Sequence, residues 1–233
     1  VFGRNPNFIL APESRTEGGS MKNLVARTLV APLFIVISAM LAACGGGAPE
    51  PQRYSALCET EATEVTIADS VLLSTVRAAL SKPTGPLTCA DMEAVTTLEN
   101  RDAGISDLTG LQYATNLEDL DLSGNDVADL GPIADLVALS ALNLNGNPVA
   151  SFEPLRNLTN LEDLHLCCNE TRITDVSPLE GLTKLNAINI SGYELGDDVL
   201  WPLLAKFPDL RGLWIGGNDL QDMSPLQNYT NAF

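Results

Sequence analysis

The chain has 233 residues and a formal net charge of −17, with 30 acidic residues against 13 Lys and Arg. Proteins that bind nucleic acid need Lys and Arg for their phosphate contacts, so this balance argues against nucleic acid as a partner. It also argues against broad adhesion to anionic lipid headgroups. The charge permits basic protein partners or cations, and solubility alone is also a sufficient reason for it.

The N-terminal segment has the pattern of an export signal. Lys22 and Arg27 follow Met21, and an apolar stretch from Leu29 to Met40 comes next, too short to span a membrane comfortably. Residues 1–20 predict no domain, and we interpret them as an incorrectly assigned start. A plain transmembrane anchor or an uncleaved signal is the alternative.

The end of this segment, Leu41-Ala42-Ala43-Cys44-Gly45, resembles the lipobox of bacterial lipoproteins. The resemblance implies a signal peptide at 21–43, cleavage before Cys44 and a diacylglyceryl group on its sulfur. It also implies sorting to the outer membrane or cell surface, because Gly45 replaces the aspartate that favours inner-membrane retention. Residues 44–57, rich in Gly and Pro, predict a flexible tether.

Residues 58–91 predict an N-terminal cap that covers the first apolar layer of the region that follows. A helix begins at Asp69 or Ser70 and is stopped by Pro83 and Gly85. Cys58 and Cys89 flank this helix, and an exported chain meets an oxidising space, so a disulfide between them is a reasonable expectation. The predicted inner side of the helix carries Val71, Leu72, Val76, Ala79 and Leu80.

Residues 92–233 consist of repeated segments, six complete ones and the start of a seventh. "LEDLDLSGNDVADLGPI" begins at Leu117, "LSALNLNGNPVASFEPL" at Leu139 and "LEDLHLCCNETRITDVSPL" at Leu161. The repeat that begins at Leu185 is looser and is stretched to 25 residues, which indicates a longer helix there, and a further repeat begins at Leu210. A regular period in this range, between about 20 and 50 residues, predicts a solenoid.

Each repeat contains the same sequence of local signals. Leu-x-Leu places two side chains on one face of a short strand, and an Asn three residues later closes a turn, because its amide both donates and accepts hydrogen bonds. An Asp or Ser and then a Pro predict a short or 3₁₀-like helix on the return path. The turn Asn residues form a structural ladder, Asn125, Asn147, Asn169 and Asn218; the Asp and Ser residues are Asp107, Asp129, Ser151, Asp175, Asp198 and Asp222; the prolines are Pro132, Pro154, Pro178, Pro202 and Pro225.

Three residues depart from the pattern. Ala103 and Tyr193 replace the turn Asn, and Asn100 occupies a position that is apolar in the other repeats.

"LTNLEDLHL" and "ITDVSPLEGLTKL" resemble the bacterial leucine-rich repeats of the internalin type. The resemblance implies an α/β solenoid, a leucine-rich repeat horseshoe. Its parallel strands would lie on the concave face and its short or 3₁₀ helices on the convex face. It also implies a binding role, with no catalysis and no cofactor.

The expected binding surface is the concave face, where the residue inside each Leu-x-Leu points to solvent. An exposed tryptophan is the best candidate for a binding anchor, because tryptophan is enriched at interaction hot spots; packing of Trp214 beside the last repeat is the alternative. The binding candidates are Glu99, Asp121, Asn143, His165, Asn189 and Trp214, with Asp119 and Asp163 from the preceding outward column.

The pattern leaves three states open for the adjacent Cys167 and Cys168: free thiols, a vicinal disulfide or metal ligands. His165 lies two residues before Cys167, which suggests a thiol or metal site. Catalysis would need an oriented base, and zinc would need three or four ligands, and neither pattern is present. We therefore expect no catalytic residues and no metal. The sequence favours a lipid-anchored envelope protein that binds another protein or other ligand through its concave face; the partner is unidentified, and the charge permits a basic one. The alternatives are a structural envelope spacer and a thiol or metal site around His165, Cys167 and Cys168.

Overall fold

A computed structural model describes Cys58 and residues 60–169 and 171–229. The predicted signal peptide, Cys44 and the predicted tether up to residue 57 lie outside the described residues. No helix among the described residues is both long enough and apolar enough to cross a membrane.

The N-terminal part combines two helices with a small two-stranded antiparallel sheet. Strands β1 (Glu64–Val65) and β2 (Leu87–Thr88) are antiparallel, and helix α1 (Ser70–Ala79) lies between them in the chain. Helix α2 (Cys89–Glu93) follows β2 directly, and a disulfide joins Cys58 to Cys89.

Asp69 is the N-cap of helix α1, and its Oδ1 accepts hydrogen bonds from the backbone N–H groups of Val71 and Leu72 at 2.9 and 3.0 Å. These bonds satisfy donors that have no partner within the helix itself. Leu72 and Val76 are fully buried, as expected for the inner side of this helix. The placement of Ala79 on that side is wrong, because the structure leaves Ala79 exposed at the end of α1.

The N-terminal part is joined to the first repeat by polar contacts. Asp69 Oδ2 accepts a hydrogen bond from Ser106 N–H at 3.0 Å. The carboxylate that caps α1 therefore also binds the backbone of the first repeat. Asn100 Nδ2 donates to Thr75 Oγ1 in α1 at 2.7 Å. The polar residue in an otherwise apolar column therefore faces a polar partner on α1.

Six parallel strands form the main sheet, and each pairs with the next one in the chain. Their central residues, Leu98, Leu120, Leu142, Leu164, Ile188 and Leu213, are aligned in register and buried. Because strand side chains alternate, the residues on either side of each central residue point away from the core. The strands are β3 (Thr97–Glu99), β4 (Asp119–Asp121), β5 (Ala141–Asn143), β6 (Asp163–His165), β7 (Ala187–Asn189) and β8 (Gly212–Trp214).

Short 3₁₀ helices form most of the return paths, as the Asp–Pro pattern predicts. Asp129 Oδ1 accepts a hydrogen bond from Gly131 N–H at 2.8 Å, and Pro132 occupies the first turn of the helix that follows. The same contact two residues ahead recurs at Ser151, Asp175 and Asp222. The 3₁₀ helices are Leu111–Tyr113, Gly131–Ile133, Glu153–Leu155, Ser177–Leu179 and Ser224–Asn228.

The stretched repeat is the exception, and two of its assignments are wrong. It contains α3 (Asp197–Leu204), a longer helix as its length indicates, which begins after Gly196. Asp198 lies inside the first turn of α3 and not before it, and Pro202 lies inside the helix and not at its start. The extra residues shift the helix start relative to these two side chains, so the repeat pattern misplaces them.

The turn Asn residues link neighbouring repeats through buried hydrogen bonds. Asn147 Nδ2 donates to Leu122 O at 2.8 Å and to Leu144 O at 3.1 Å, while its Oδ1 accepts from Val127 N–H at 3.0 Å. Asn125 and Asn218 make the same pattern of contacts with their own neighbours. Each amide thus satisfies backbone groups that the turn removes from water.

Candidate binding surface

The outward side chains of β3–β8 form one continuous surface, here called the strand face. It consists of two columns set two residues apart along each strand. One column is Thr97, Asp119, Ala141, Asp163, Ala187 and Gly212; the other is Glu99, Asp121, Asn143, His165, Asn189 and Trp214.

Four carboxylates lie on the N-terminal two-thirds of the strand face. Asp121 is held in place there, because its Oδ1 accepts from the Ser123 backbone N–H and hydroxyl, and its Oδ2 accepts from Asn143 Nδ2 at 2.9 Å. Arg101 Nη2 lies 3.0 Å from Asp121 Oδ2 and 3.2 Å from Glu99 Oε1. Arg101 was not among the predicted site residues, since it lies two residues beyond the column that the repeat defines.

The carboxyls of Asp119 and Asp121 have opposite pKa shifts. Burial raises the pKa of Asp119, and the nearby Asp121 and Glu99 carboxylates raise it further by repulsion, while Arg101 offsets only part of this rise. Burial also acts to raise the pKa of Asp121, but hydrogen bonds from Ser123 and Asn143 outweigh this effect and lower it. The Asp121 carboxylate is therefore stabilised in its charged form by hydrogen bonds, whereas the charged form of the neighbouring Asp119 carboxylate is not.

The C-terminal half of the strand face carries two aromatic rings. The His165 and Trp214 ring centroids are 5.5 Å apart, although two strand spacings separate their backbones. Small residues make this approach possible, because a Cβ atom added to Gly212 would lie 2.9 Å from the Trp214 ring and 3.0 Å from Ala187 Cβ. Trp214 thus lies along the face and is still 49% exposed.

A shallow hollow of about 270 Å³ lies between the acidic and aromatic parts of the face. Ala141 provides its floor, because a methyl group there leaves space between the longer side chains of β4 and β6. The hollow is lined by Asp119, Asp121, Asn143, Asp163 and His165, together with Leu142.

The two adjacent cysteines, Cys167 and Cys168, are joined to each other at the end of β6. In this state neither sulfur is a thiolate, so the pair offers no ligand of that kind beside His165. Among the described residues, no group of three or more His, Cys, Asp and Glu side chains is placed to hold a metal ion. Cys167 N–H donates to Asn145 Oδ1 at 2.7 Å, a contact that the repeat pattern did not indicate.

The strand face brings together most of the predicted binding residues, but not as one cluster. Asp119, Asp121, Asn143, Asp163 and His165 surround the hollow. Glu99 lies at the N-terminal edge of the sheet beside Arg101, while Asn189 lies in register between His165 and Trp214. Gly212 and Ala187, which leave room for Trp214 to reach His165, could be read from the sequence. Their effect could not, because it depends on the direction in which the indole ring lies.

Comparison with known protein families agrees with the observed repeat. The family described as leucine-rich repeats in two copies matches residues 115–157. The fold is a leucine-rich repeat solenoid. The comparison with curated proteins gives no match.

Solved internalins of Listeria monocytogenes share this fold. The chain is 34% identical to an internalin (inlF), with a TM-score of 0.64 over 71% of this chain and 48% of that one. It is 29% identical to internalin C2, with a TM-score of 0.65 over 74% of this chain and 77% of that one. The chain therefore spans about half the length of the first internalin and most of the second.

Proposed function

We propose that this leucine-rich repeat chain is an exported, lipid-anchored envelope protein that binds another protein through its strand face. The half-exposed Trp214 ring, lying along the strand face against His165, carries the proposal. An aromatic ring fixed in place and still open to solvent offers contact area at a low cost in side-chain entropy.

The similarity in fold to two solved internalins supports a binding role. Along each strand, the side chains of the strand face alternate with the buried side chains of the core. Its outward residues can therefore vary without changing the buried leucines, which suits a surface that recognises a partner.

A capture experiment tests the binding role. The full chain is used as bait in envelope and host-surface extracts and compared with the variant Asn143→Ala/His165→Ala/Trp214→Ala. A matched control, Val137→Ala/Met223→Ala, removes two exposed apolar side chains that lie outside the strand face. Circular dichroism shows whether all three proteins are folded.

We expect the wild type and the control to retain a protein that the strand-face variant loses. Equal recovery by all three proteins would contradict binding through the strand face and would favour the structural spacer.

The anchor is tested separately, because it rests on the signal and lipobox at residues 21–45 and not on the strand face. We expect a radiolabelled fatty acid to be incorporated into the wild type in bacterial cells and not into Cys44→Ala. Equal labelling of the two proteins would contradict lipidation at Cys44.

A further inference from the structure

We infer that the partner presents an arginine- or lysine-bearing segment, whose cation seats in the hollow between β4 and β6 on the strand face. This inference rests on the proposed function, because it assigns a chemistry to the partner of the same surface.

Charge is the first observation that supports a cationic partner. The four carboxylates of the strand face belong to Glu99, Asp119, Asp121 and Asp163, and Arg101 pairs with the first and third of them. Among the described residues, the Asp119 and Asp163 side chains make neither an ion pair nor a hydrogen bond. A protein partner that faces this surface must supply positive charge, or the carboxylates would be desolvated without compensation.

The shape of the surface gives the second observation. Asp119 and Asp163 lie on the strands that flank β5, and Ala141 lies between them in register. The small side chain leaves the two carboxylates on opposite sides of the hollow of about 270 Å³. A long side chain with a terminal cation fits this arrangement, because its stem can lie over Ala141 while its charge reaches both carboxylates.

The pair of His165 and Trp214 indicates on which side of the hollow an apolar part of the partner would lie. His165 lines the hollow and also contacts Trp214, so an apolar side chain next to the cation would meet the indole ring. The pKa of Asp119 is raised by burial and by its acidic neighbours. A bound cation would offset that repulsion, so binding is expected to be coupled to loss of the Asp119 proton.

The test measures binding of a defined cationic probe to the full chain. The probe is a hexa-arginine peptide with blocked ends, and the counter-probe is the matching glutamate peptide. Isothermal titration compares the wild type with Asp119→Asn/Asp163→Asn. The charge-matched control is Asp135→Asn/Asp209→Asn, which removes two exposed carboxylates outside the strand face.

We expect the strand-face variant to bind the arginine peptide about tenfold more weakly than the wild type, while the control changes affinity by less than about twofold. Lowering the pH through the range in which carboxylates titrate should weaken binding more in the wild type than in Asp119→Asn/Asp163→Asn, because the variant has no Asp119 proton to gain. Equal losses in the two variants would overturn the inference, because they would show general attraction to the acidic chain. Binding of the glutamate peptide as tightly as the arginine peptide would overturn it as well.

The capture experiment separates this inference from the proposed function. If a captured protein is lost by Asn143→Ala/His165→Ala/Trp214→Ala but kept by Asp119→Asn/Asp163→Asn, the strand face binds and the cationic assignment is wrong. If both variants lose the protein and the control keeps it, both proposals are supported. If all variants keep it, the proposed function fails and the inference fails with it.

Discussion

At the scale of single residues, Tyr193 shows how a different side chain can fill the place of a turn Asn. It occupies the Asn position of its repeat and is buried. Its hydroxyl donates to Leu166 O in the preceding repeat, as Asn147 Nδ2 donates to Leu122 O. The hydroxyl also accepts from Asn169 Nδ2 at 3.0 Å, so it connects two neighbouring turns.

Tyr193→Phe should therefore lower the free energy of unfolding by about 1–3 kcal/mol, because it leaves a buried carbonyl and a part-buried amide without a partner. Tyr113→Phe is the matched control, since the Tyr113 hydroxyl makes no hydrogen bond among the described residues. Urea unfolding followed by circular dichroism measures both changes. A loss of the same size in both variants would argue against a role for the Tyr193 hydroxyl.

The same phenol gives a pH-dependent prediction. Burial raises the pKa of Tyr193 to about 12 from its ordinary value near 10. A group with a raised pKa contributes stability that is fully present below its unfolded pKa and is lost as the pH rises through its folded pKa. The stability that the wild type has over Tyr193→Phe should fall by about 2 kcal/mol between pH 10 and pH 12, which removes most of the difference or reverses its sign. An unchanged difference over this range would contradict the burial effect.

Cys168 occupies a backbone position that neighbouring repeats fill with glycine. Its φ is 65°, and Gly124, Gly146 and Gly192 have φ values of 70°, 67° and 88° at the equivalent turn. A side chain is disfavoured in this left-handed region, whereas glycine adopts it freely. We expect the unfolding free energy of Cys167→Ala/Cys168→Gly to exceed that of Cys167→Ala/Cys168→Ala by about 1 kcal/mol. Equal stabilities in urea unfolding would contradict this.

At the scale of elements, the disulfide between Cys58 and Cys89 closes a loop of the chain that contains β1, α1 and β2. Because the two cysteines are far apart in the chain, cross-linking them restricts the unfolded state. Cys58→Ala/Cys89→Ala should lower the free energy of unfolding by about 3–4 kcal/mol in the chain-entropy model, as measured by urea unfolding. Cys167→Ala/Cys168→Ala is the comparison, since the disulfide that it removes joins adjacent residues and closes almost no loop. Equal losses from the two pairs would argue against loop closure as the source of the stability.

The elements that the sequence predicted best are those with a period. The Leu-x-Leu columns located all six strands of the main sheet, because burial of every second residue constrains the pattern directly. The two-stranded sheet of β1 and β2 was missed, since two-residue strands carry no period and helix α1 separates these two in the chain. Helix α2 was also missed, although Thr88 and Asp91 have the spacing of a capping box.

The candidate site was predicted in position but not in internal geometry. Side-chain alternation placed Asp119, Asn143 and Trp214 on the same face as expected. The contact between His165 and Trp214 could not be predicted, because it depends on which way a long ring lies over Gly212. Periodicity determines the face on which a side chain stands, whereas contacts across strands depend on rotamers.

At the scale of the whole molecule, the repeats behave as layers that contact mainly their neighbours. Leu120 pairs with Leu142 and Leu142 with Leu164, so the register advances by one whole repeat from each strand to the next. A layer of this kind has little stability alone and gains it from the two layers beside it. If one complete repeat is removed, the repeats on either side of it should therefore still be able to pack against each other in register.

Deletion of residues 139–160 removes one such layer and joins Ala138 to Leu161, which has the same phase in the repeat as Leu139. We expect the shortened chain to fold with β4 beside β6. Its urea m value and its free energy of unfolding should both fall, because less apolar surface is buried. Deletion of residues 139–149, half a repeat, is the control: it places polar residues in the leucine columns and should prevent folding. Folding of both deletion variants would contradict a stack of layers in strict register, whereas unfolding of both would show that stability depends on contacts beyond nearest neighbours.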